Sequence, residues 1–301
     1  MVRIAVIGAG LMGHGIAQVF AQAGHDVAIH DQSAQALATA HERVAQNLRV
    51  MGLPPDAAGR IRLRDRLEDA VSDAEVVFEA AFEDLAVKRG VFARIEESAP
   101  PSALVATNTS VMTIGDVTAL SRTRERMLGT HWWNPPHLIP LVEVVQGDRT
   151  DPKAVERMLA LLREVGKSPV HVRRDVPGFV GNRLQHALWR EALALVDEGV
   201  CDPETVDQVV KTSFGLRLSM LGPIENADLV GLDLTRAIHA YLLPHLSRAE
   251  APSRTMEGHI EKGELGMKTG QGMREWPPGT ADAVRSALAA HLVALEAGRR
   301  A

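Results

Sequence analysis

Residues 3–31 read RIAVIGAGLMGHGIAQVFAQAGHDVAIHD. The first five are an apolar run of strand length, and Gly8-Ala-Gly10-Leu-Met-Gly13 follows at once, opening a helix predicted to reach about Ala23. A second strand, Asp26 to His30, ends in Asp31. In that context each glycine has its own task. Gly8 permits the tight turn, Gly10 lets a pyrophosphate approach the backbone, and Gly13 lets the helix pack on its strand. The helix N-terminus, with Leu11 and Met12 in its first turn, then faces the phosphates. Asp31 lies 18 residues beyond Gly13 (31 − 13), close to the offset of about 20 expected of a ribose-binding acid. Its carboxylate would accept the ribose hydroxyls and repel a 2′-phosphate, and Gln32-Ser33 supplies no arginine, so the expected cofactor is NAD. A glycine-rich turn beside a solvated aspartate is the plainer reading, and the strand–turn–helix–strand context weighs against it.

Working outward, a helical pattern covers Ala34 to Val50, and short strands recur at Ile61–Leu63, Glu75–Phe78, Ala103–Ala106 and Pro169–Val172. Helices are expected between them, at about Leu67–Ser72, Asp84–Ser98 and Pro152–Val165. Strands alternating with helices imply a doubly wound, mostly parallel sheet. Such sheets bind ligands at the carboxyl ends of their strands. Ala80 and Glu83 fall there, as do Asn108 and Ser110 after the next strand. Lys88, one turn into a helix, either reaches the cofactor or is an ordinary solvated lysine. Ser110 either donates to a substrate oxygen or caps the helix that begins near Thr113.

The run Pro140-Leu-Val-Glu-Val-Val145 alternates like a strand, but Glu143 falls where a core strand carries an apolar side chain. A buried carboxylate needs a partner. The nearby side chain whose charge switches near neutral pH is His131, at the end of the strand Met127–Thr130. With the two strands side by side, Glu143 holds one ring nitrogen and leaves the other free to move a proton.

Beyond Arg173 no strand is predicted. A long amphipathic helix is expected from Asp175-Val-Pro177 to about Glu198, carrying Phe179, Val180 and Asn182, and further helices at about 203–212, 224–246 with a break near Gly231, 253–262 and 281–297. Asn182 either reaches back towards His131 or is an ordinary interior amide. The fold class is therefore α/β, with an N-terminal Rossmann-type sheet domain over 1–173 and an all-α domain over 174–301. At 301 residues the chain suggests two cores, which a hydrophobic fraction of 46% can fill. Thirty-eight acidic residues against 33 basic ones give a formal net charge of −5, which offers no field for nucleic acid or anionic membrane and leaves a small molecule as the expected partner. A single cysteine, Cys201, excludes an internal disulfide and a thiolate metal cage and suits a cytoplasmic protein. No signal peptide, membrane span or metal site is expected; His14, His25, His137 and His186 read as packing or surface residues.

The ordered series NTS, HWWNPP, LVEVV, DVPGFVGNR and GLGMKTGQG resembles the 3-hydroxyacyl-CoA dehydrogenase family over essentially the whole chain. The resemblance implies NAD-dependent oxidation of a 3-hydroxyl, as in the 3-hydroxybutyryl-CoA dehydrogenases of fatty acid metabolism, by a homodimer that meets through its helical domains. It implies His131 as catalytic base, Glu143 as its partner, Ser110 and Asn182 as contacts of the reacting substrate oxygen, Asn134 beside the nicotinamide, and Glu83 and Lys88 as cofactor contacts. Two features resemble instead relatives acting on small free acids, the lambda-crystallin/gulonate, carnitine and pyridine-carboxylate dehydrogenases. Pro140 stands where acyl-CoA members tend to carry lysine, and the long segment Phe214–Pro223 contains Arg217, which in this alternative clamps a carboxylate. A third expectation, a non-catalytic NAD-binding protein of crystallin type, is disfavoured by the complete set of Ser110, His131, Glu143 and Asn182.

Overall fold

The computed structural model describes residues 1–300, with side chains through residue 298. The first part alternates β1 (Arg3–Ile7), α1 (Leu11–Gln22), β2 (Asp26–His30), α2 (Ala34–Ala38), α3 (Ala40–Val50), β3 (Ile61–Arg64), α4 (Leu67–Val71), β4 (Val76–Glu79), α5 (Leu85–Ser98), β5 (Leu104–Thr107) and α6 (Ile114–Val117). It closes with β6 (Met127–Trp132), β7 (Leu141–Val145), α7 (Pro152–Glu164) and β8 (Ser168–Val172). The remainder is helical: α8 (Gly181–Asp197), α9 (Pro203–Thr212), α10 (Pro223–Val230), α11 (Leu232–Leu242), α12 (Arg254–Glu261) and α13 (Thr280–Arg300).

The eight strands form one sheet in the order β3-β2-β1-β4-β5-β6-β7-β8. All neighbours are parallel except β6 and β7. This is the expected α/β class. The central strands β1, β4 and β5 are apolar on both faces because helices cover both: one core gathers Ile4, Val6, Phe20, Phe78 and Trp132, and a second gathers Ala5, Val77, Phe92, Ile95 and Val105. The order reverses between β1 and β4, which opens a crevice beyond their carboxyl ends.

Two expectations about helices need correction. The single helix over Ala34–Val50 is two, because the Thr39 hydroxyl bonds back to the Gln35 carbonyl (2.9 Å) at the break between α2 and α3. Phe179 and Val180 precede α8 instead of lying in it; Phe179 has φ +52°, a left-handed conformation that no helix interior accepts.

By contacts the chain divides into two compact units, Met1–Arg183 together with the chain's end from Ala289, and Leu184–Leu288. The expected helical domain, 174–301, ends at Ala301, which lies outside the described residues. In the second unit Gly272 is the one buried residue among those described. No helix of the described residues is long and apolar enough to cross a membrane.

Candidate active site

At the switch point, a cavity of about 350 Å³ is lined by Gly8, Gly10, Leu11, Met12, Asp31 and Ala80, all six expected at the cofactor. The glycines fit a nucleotide for reasons visible in the backbone. Gly8 has φ +109°, and a Cβ there would stand 2.4 Å from the Ala80 carbonyl oxygen. A Cβ on Gly13 would stand 1.7 Å from the Gly8 carbonyl oxygen, so helix and turn meet only at glycine. Gly10 differs: nothing lies within 4 Å of its missing Cβ. The space it leaves is in front of α1, whose N-cap accepts no side-chain bond and whose first turn holds no acidic residue. That free N-terminus suits an anion. Asp31 accepts from the Ala9 amide (2.6 Å) and the Ser33 amide (2.7 Å), which aims its carboxylate from the end of β2 and leaves lone pairs on both oxygens.

Gly13, Glu83, Lys88, Asn108 and Asn134 lie outside that lining. Lys88 is fully buried, so the solvated alternative is excluded. Its ammonium touches Glu79 (2.9 and 3.1 Å) and Glu83 (3.2 Å). Glu83 in turn accepts from the Thr109 hydroxyl (2.6 Å) and the Ser110 amide (2.8 Å). Burial pushes the Glu83 carboxyl up, but those two bonds and the Lys88 charge outweigh it and hold the group below its ordinary value. Asn108 is structural in its visible contact, accepting the Trp132 amide (3.0 Å) and so tying the end of β5 to the end of β6. Asn134 is exposed just past β6.

β6 runs parallel to β5, so His131, two residues past the Gly129–Thr107 register pair, lies along the same sheet edge as the glycine turn. β7 returns antiparallel and sets Glu143 directly opposite His131. Directly opposed residues have side chains on one face. His131 Nδ1 and Glu143 Oε2 are 2.7 Å apart, with His131 4% and Glu143 1% exposed. Oε1 accepts the amides of Val180 (2.9 Å) and Gly181 (3.0 Å) at the start of α8. Burial pushes the Glu143 carboxyl up; hydrogen bonds from His131, Gly181 and Val180 more than offset this and hold it below the ordinary range. An ionised, acceptor-only Glu143 requires the proton on Nδ1, which leaves Nε2 of a neutral His131 as the basic nitrogen.

Ser110 and Asn182 are brought together: Asn182 Nδ2 donates to the Ser110 carbonyl (2.8 Å). The helix-capping alternative for Ser110 falls, because the Thr113 side chain caps α6. Arg217 is exposed in the Leu184–Leu288 unit, and its guanidinium has no ion-pair partner among the described residues.

A dinucleotide crevice sharing its sheet edge with a buried histidine–carboxylate pair defines an NAD-dependent oxidoreductase acting on CH–OH groups. Models of the 3-hydroxyacyl-CoA dehydrogenase NAD-binding domain and C-terminal domain match residues 3–176 and 178–276. The chain belongs to the 3-hydroxyacyl-CoA dehydrogenase family. It is 36% identical to the 5-formyl-3-hydroxy-2-methylpyridine 4-carboxylate 5-dehydrogenase of Mesorhizobium japonicum, over 98% of this chain and 97% of that enzyme. It is 33% identical to a probable 3-hydroxybutyryl-CoA dehydrogenase of Deinococcus radiodurans, over 91% of this chain and all (100%) of that one. A solved structure of a 5-formyl-3-hydroxy-2-methylpyridine 4-carboxylic acid 5-dehydrogenase, described as an NAD+ dependent dismutase, superposes with a TM-score of 0.92 at 35% identity, covering 98% of this chain and 97% of that one.

Some of the site escaped the sequence reading. Val87, Val91 and Arg94 line the crevice from α5. Their spacing of four and three residues is one helical face, a signal present in the sequence. The two adjacent tryptophans separate cleanly: Trp132 is core, edge-on to Phe20 and Phe78, whereas Trp133 tilts against His131 at 5.3 Å. The amides of Val180 and Gly181 carry no sequence signal, since any residue but proline supplies one.

Proposed function

We propose that this chain reversibly oxidises a secondary hydroxyl beta to a carboxyl or thioester carbonyl, with His131 as the base. The supporting observation is the 2.7 Å His131–Glu143 contact, with the other Glu143 oxygen bound by two amides. His131 Nε2 takes the hydroxyl proton as the same carbon gives up hydride. NAD, when bound, supplies the hydride acceptor; Gly10, Asp31 and the α1 N-terminus would hold it. In the reverse direction the imidazolium returns the proton to a ketone oxygen. The Ser110 hydroxyl, and the second amide proton that Asn182 keeps after bonding Ser110, serve the oxygen whose charge changes. Asn134, Glu83, Lys88 and Asn108 act on the cofactor side, Glu83 and Asn108 partly by fixing the ends of β5 and β6.

The family models favour a 3-hydroxyacyl-CoA. The end-to-end match to a pyridine-carboxylate dehydrogenase, with an exposed Arg217 that has no ion-pair partner among the described residues, supports a second reading in which the substrate is a small free acid and Arg217 binds its carboxylate. Assembly is part of the proposal: the helical unit leaves Trp189, Leu232, Leu234, Tyr241 and Leu265 at least half exposed, which suits burial against a second copy. A cytoplasmic site of action agrees with the free Cys201.

The test is NADH oxidation with acetoacetyl-CoA and, in parallel, with a panel of free 3-keto acids. Thioester activity that survives Arg217→Ala supports the first reading; activity confined to free acids and lost on that substitution supports the second. His131→Gln should lower kcat by at least about a hundredfold while NAD affinity holds. Retained turnover in that variant removes His131 as the base.

A further inference from the structure

Three aromatic and backbone features converge on the catalytic pair from outside the reaction path. The Trp133 and Phe179 rings tilt against the His131 ring at 5.3 and 5.6 Å. Phe179 is buried, and its left-handed backbone turns the following two amides onto Glu143 Oε1. Gly181, which supplies the second amide, is not one of the glycines with positive φ, so conformation does not require it. Space does. A Cβ at Gly181 would stand 2.4 Å from Trp133 Cζ2 and 3.3 Å from Glu143 Oε2.

Trp133 does nothing polar here: its indole nitrogen is buried with no hydrogen-bond partner among the described residues. Its contribution is its shape. The indole occupies the volume that a side chain at 181 would take, and so fixes how closely the first turn of α8 approaches Glu143.

Resting on the reading of His131 as the base, we propose that Trp133 is a positioning residue for the His131–Glu143 pair, acting through Gly181. The indole sets the height of the Val180–Gly181 amides over Oε1. The amides set the rotation of the carboxylate, and Oε2 then sets the plane of the imidazole. A smaller side chain at 133 lets α8 settle inward; a larger one at 181 pushes it out. Either way the carboxylate turns and Nε2 leaves its line to the substrate hydroxyl.

The test compares Trp133→Leu, Trp133→Phe, Gly181→Ala and the double variant Trp133→Leu/Gly181→Ala. Two readouts are taken: kcat and KM on the substrate that the wild type turns over, and the downfield proton resonance of the His131–Glu143 hydrogen bond in the absence of substrate. Trp133→Leu and Gly181→Ala should each lower kcat roughly 10- to 100-fold, shift or broaden the resonance, and leave KM and NAD affinity within about twofold. Trp133→Phe should recover part of both. The double variant should be no worse than the poorer single one, because the two changes act on one contact. An unmoved resonance in both single variants, additive losses, or a loss confined to KM would overturn the proposal. If Gly181→Ala loses its circular dichroism and NAD binding together, the Leu and Phe variants decide by the same criteria. The resonance needs no turnover, so positioning is tested even if His131→Gln remains active and the base is another group.

Discussion

His131 and Glu143 meet because two antiparallel strands put them in register, and the residues around them decide what that meeting can do. One ring nitrogen is committed to a carboxylate that is itself committed to two amides, so the pair has one hydrogen-bonding solution and one basic nitrogen. A contrasting histidine lies in the same unit. Burial pushes the His137 imidazole down to about 4, helped by repulsion from His14 and Lys167. The folded state therefore binds the proton more weakly than the unfolded chain, whose histidines titrate near 6.5. A group depressed in the folded state contributes stability that is full above about pH 6.5 and is lost as pH falls towards 4. The loss should be on the order of 3 kcal/mol. Urea unfolding at pH 7 and pH 4.5, at one protein concentration, should show a smaller pH effect for His137→Gln than for the wild type. Equal losses in the two would refute the assignment.

At the scale of elements, the carboxyl ends of β4 and β5 and the start of α5 are joined by buried charge. Lys88, Glu79, Thr107 and Thr109 are closed from solvent, and Glu83 connects them to the Ser110 amide. Removing one partner of such a cluster strands the others without compensation, which costs about 3–5 kcal/mol. Lys88→Met should destabilise by that order in urea unfolding and weaken NAD binding, and adding Glu79→Leu should recover part of the stability. A change under about 0.5 kcal/mol, the scale of an exposed lysine, would show that the cluster is not closed. The helix and strand boundaries here were legible in the sequence because Gly8, Asp84 and the apolar runs act locally. The cluster was not: Glu79 closes an apolar strand and Lys88 lies nine residues on in α5, and nothing in their neighbours shows that the ammonium is buried against Glu79 and reaches the more exposed Glu83. The break at Thr39 was missed for a related reason, since a threonine is compatible with a continuous helix until its hydroxyl turns back on the chain.

For the whole molecule, the two units differ in how far one chain satisfies them. The sheet unit buries apolar side chains on both faces, whereas in Leu184–Leu288 Gly272 alone is buried among the described residues. A helical unit of that kind is expected to hide its apolar faces against a copy of itself. Sedimentation equilibrium at micromolar concentration should give twice the chain's 32.5 kDa, and unfolding midpoints should rise with protein concentration. A monomer with a concentration-independent midpoint would refute the dimer. The sequence by itself determined the fold class, the nucleotide turn and the pairing of His131 with Glu143, because strand period, glycine spacing and a carboxylate inside an apolar strand are written in neighbouring residues. The tertiary structure alone decided that Lys88 is buried beside carboxylates, that Trp132 is core while Trp133 stands against His131, and that the amides of Val180 and Gly181 bind Glu143. Each of these depends on which atoms long-range packing brings within a few ångströms, and backbone amides and filled volumes leave no mark in residue order.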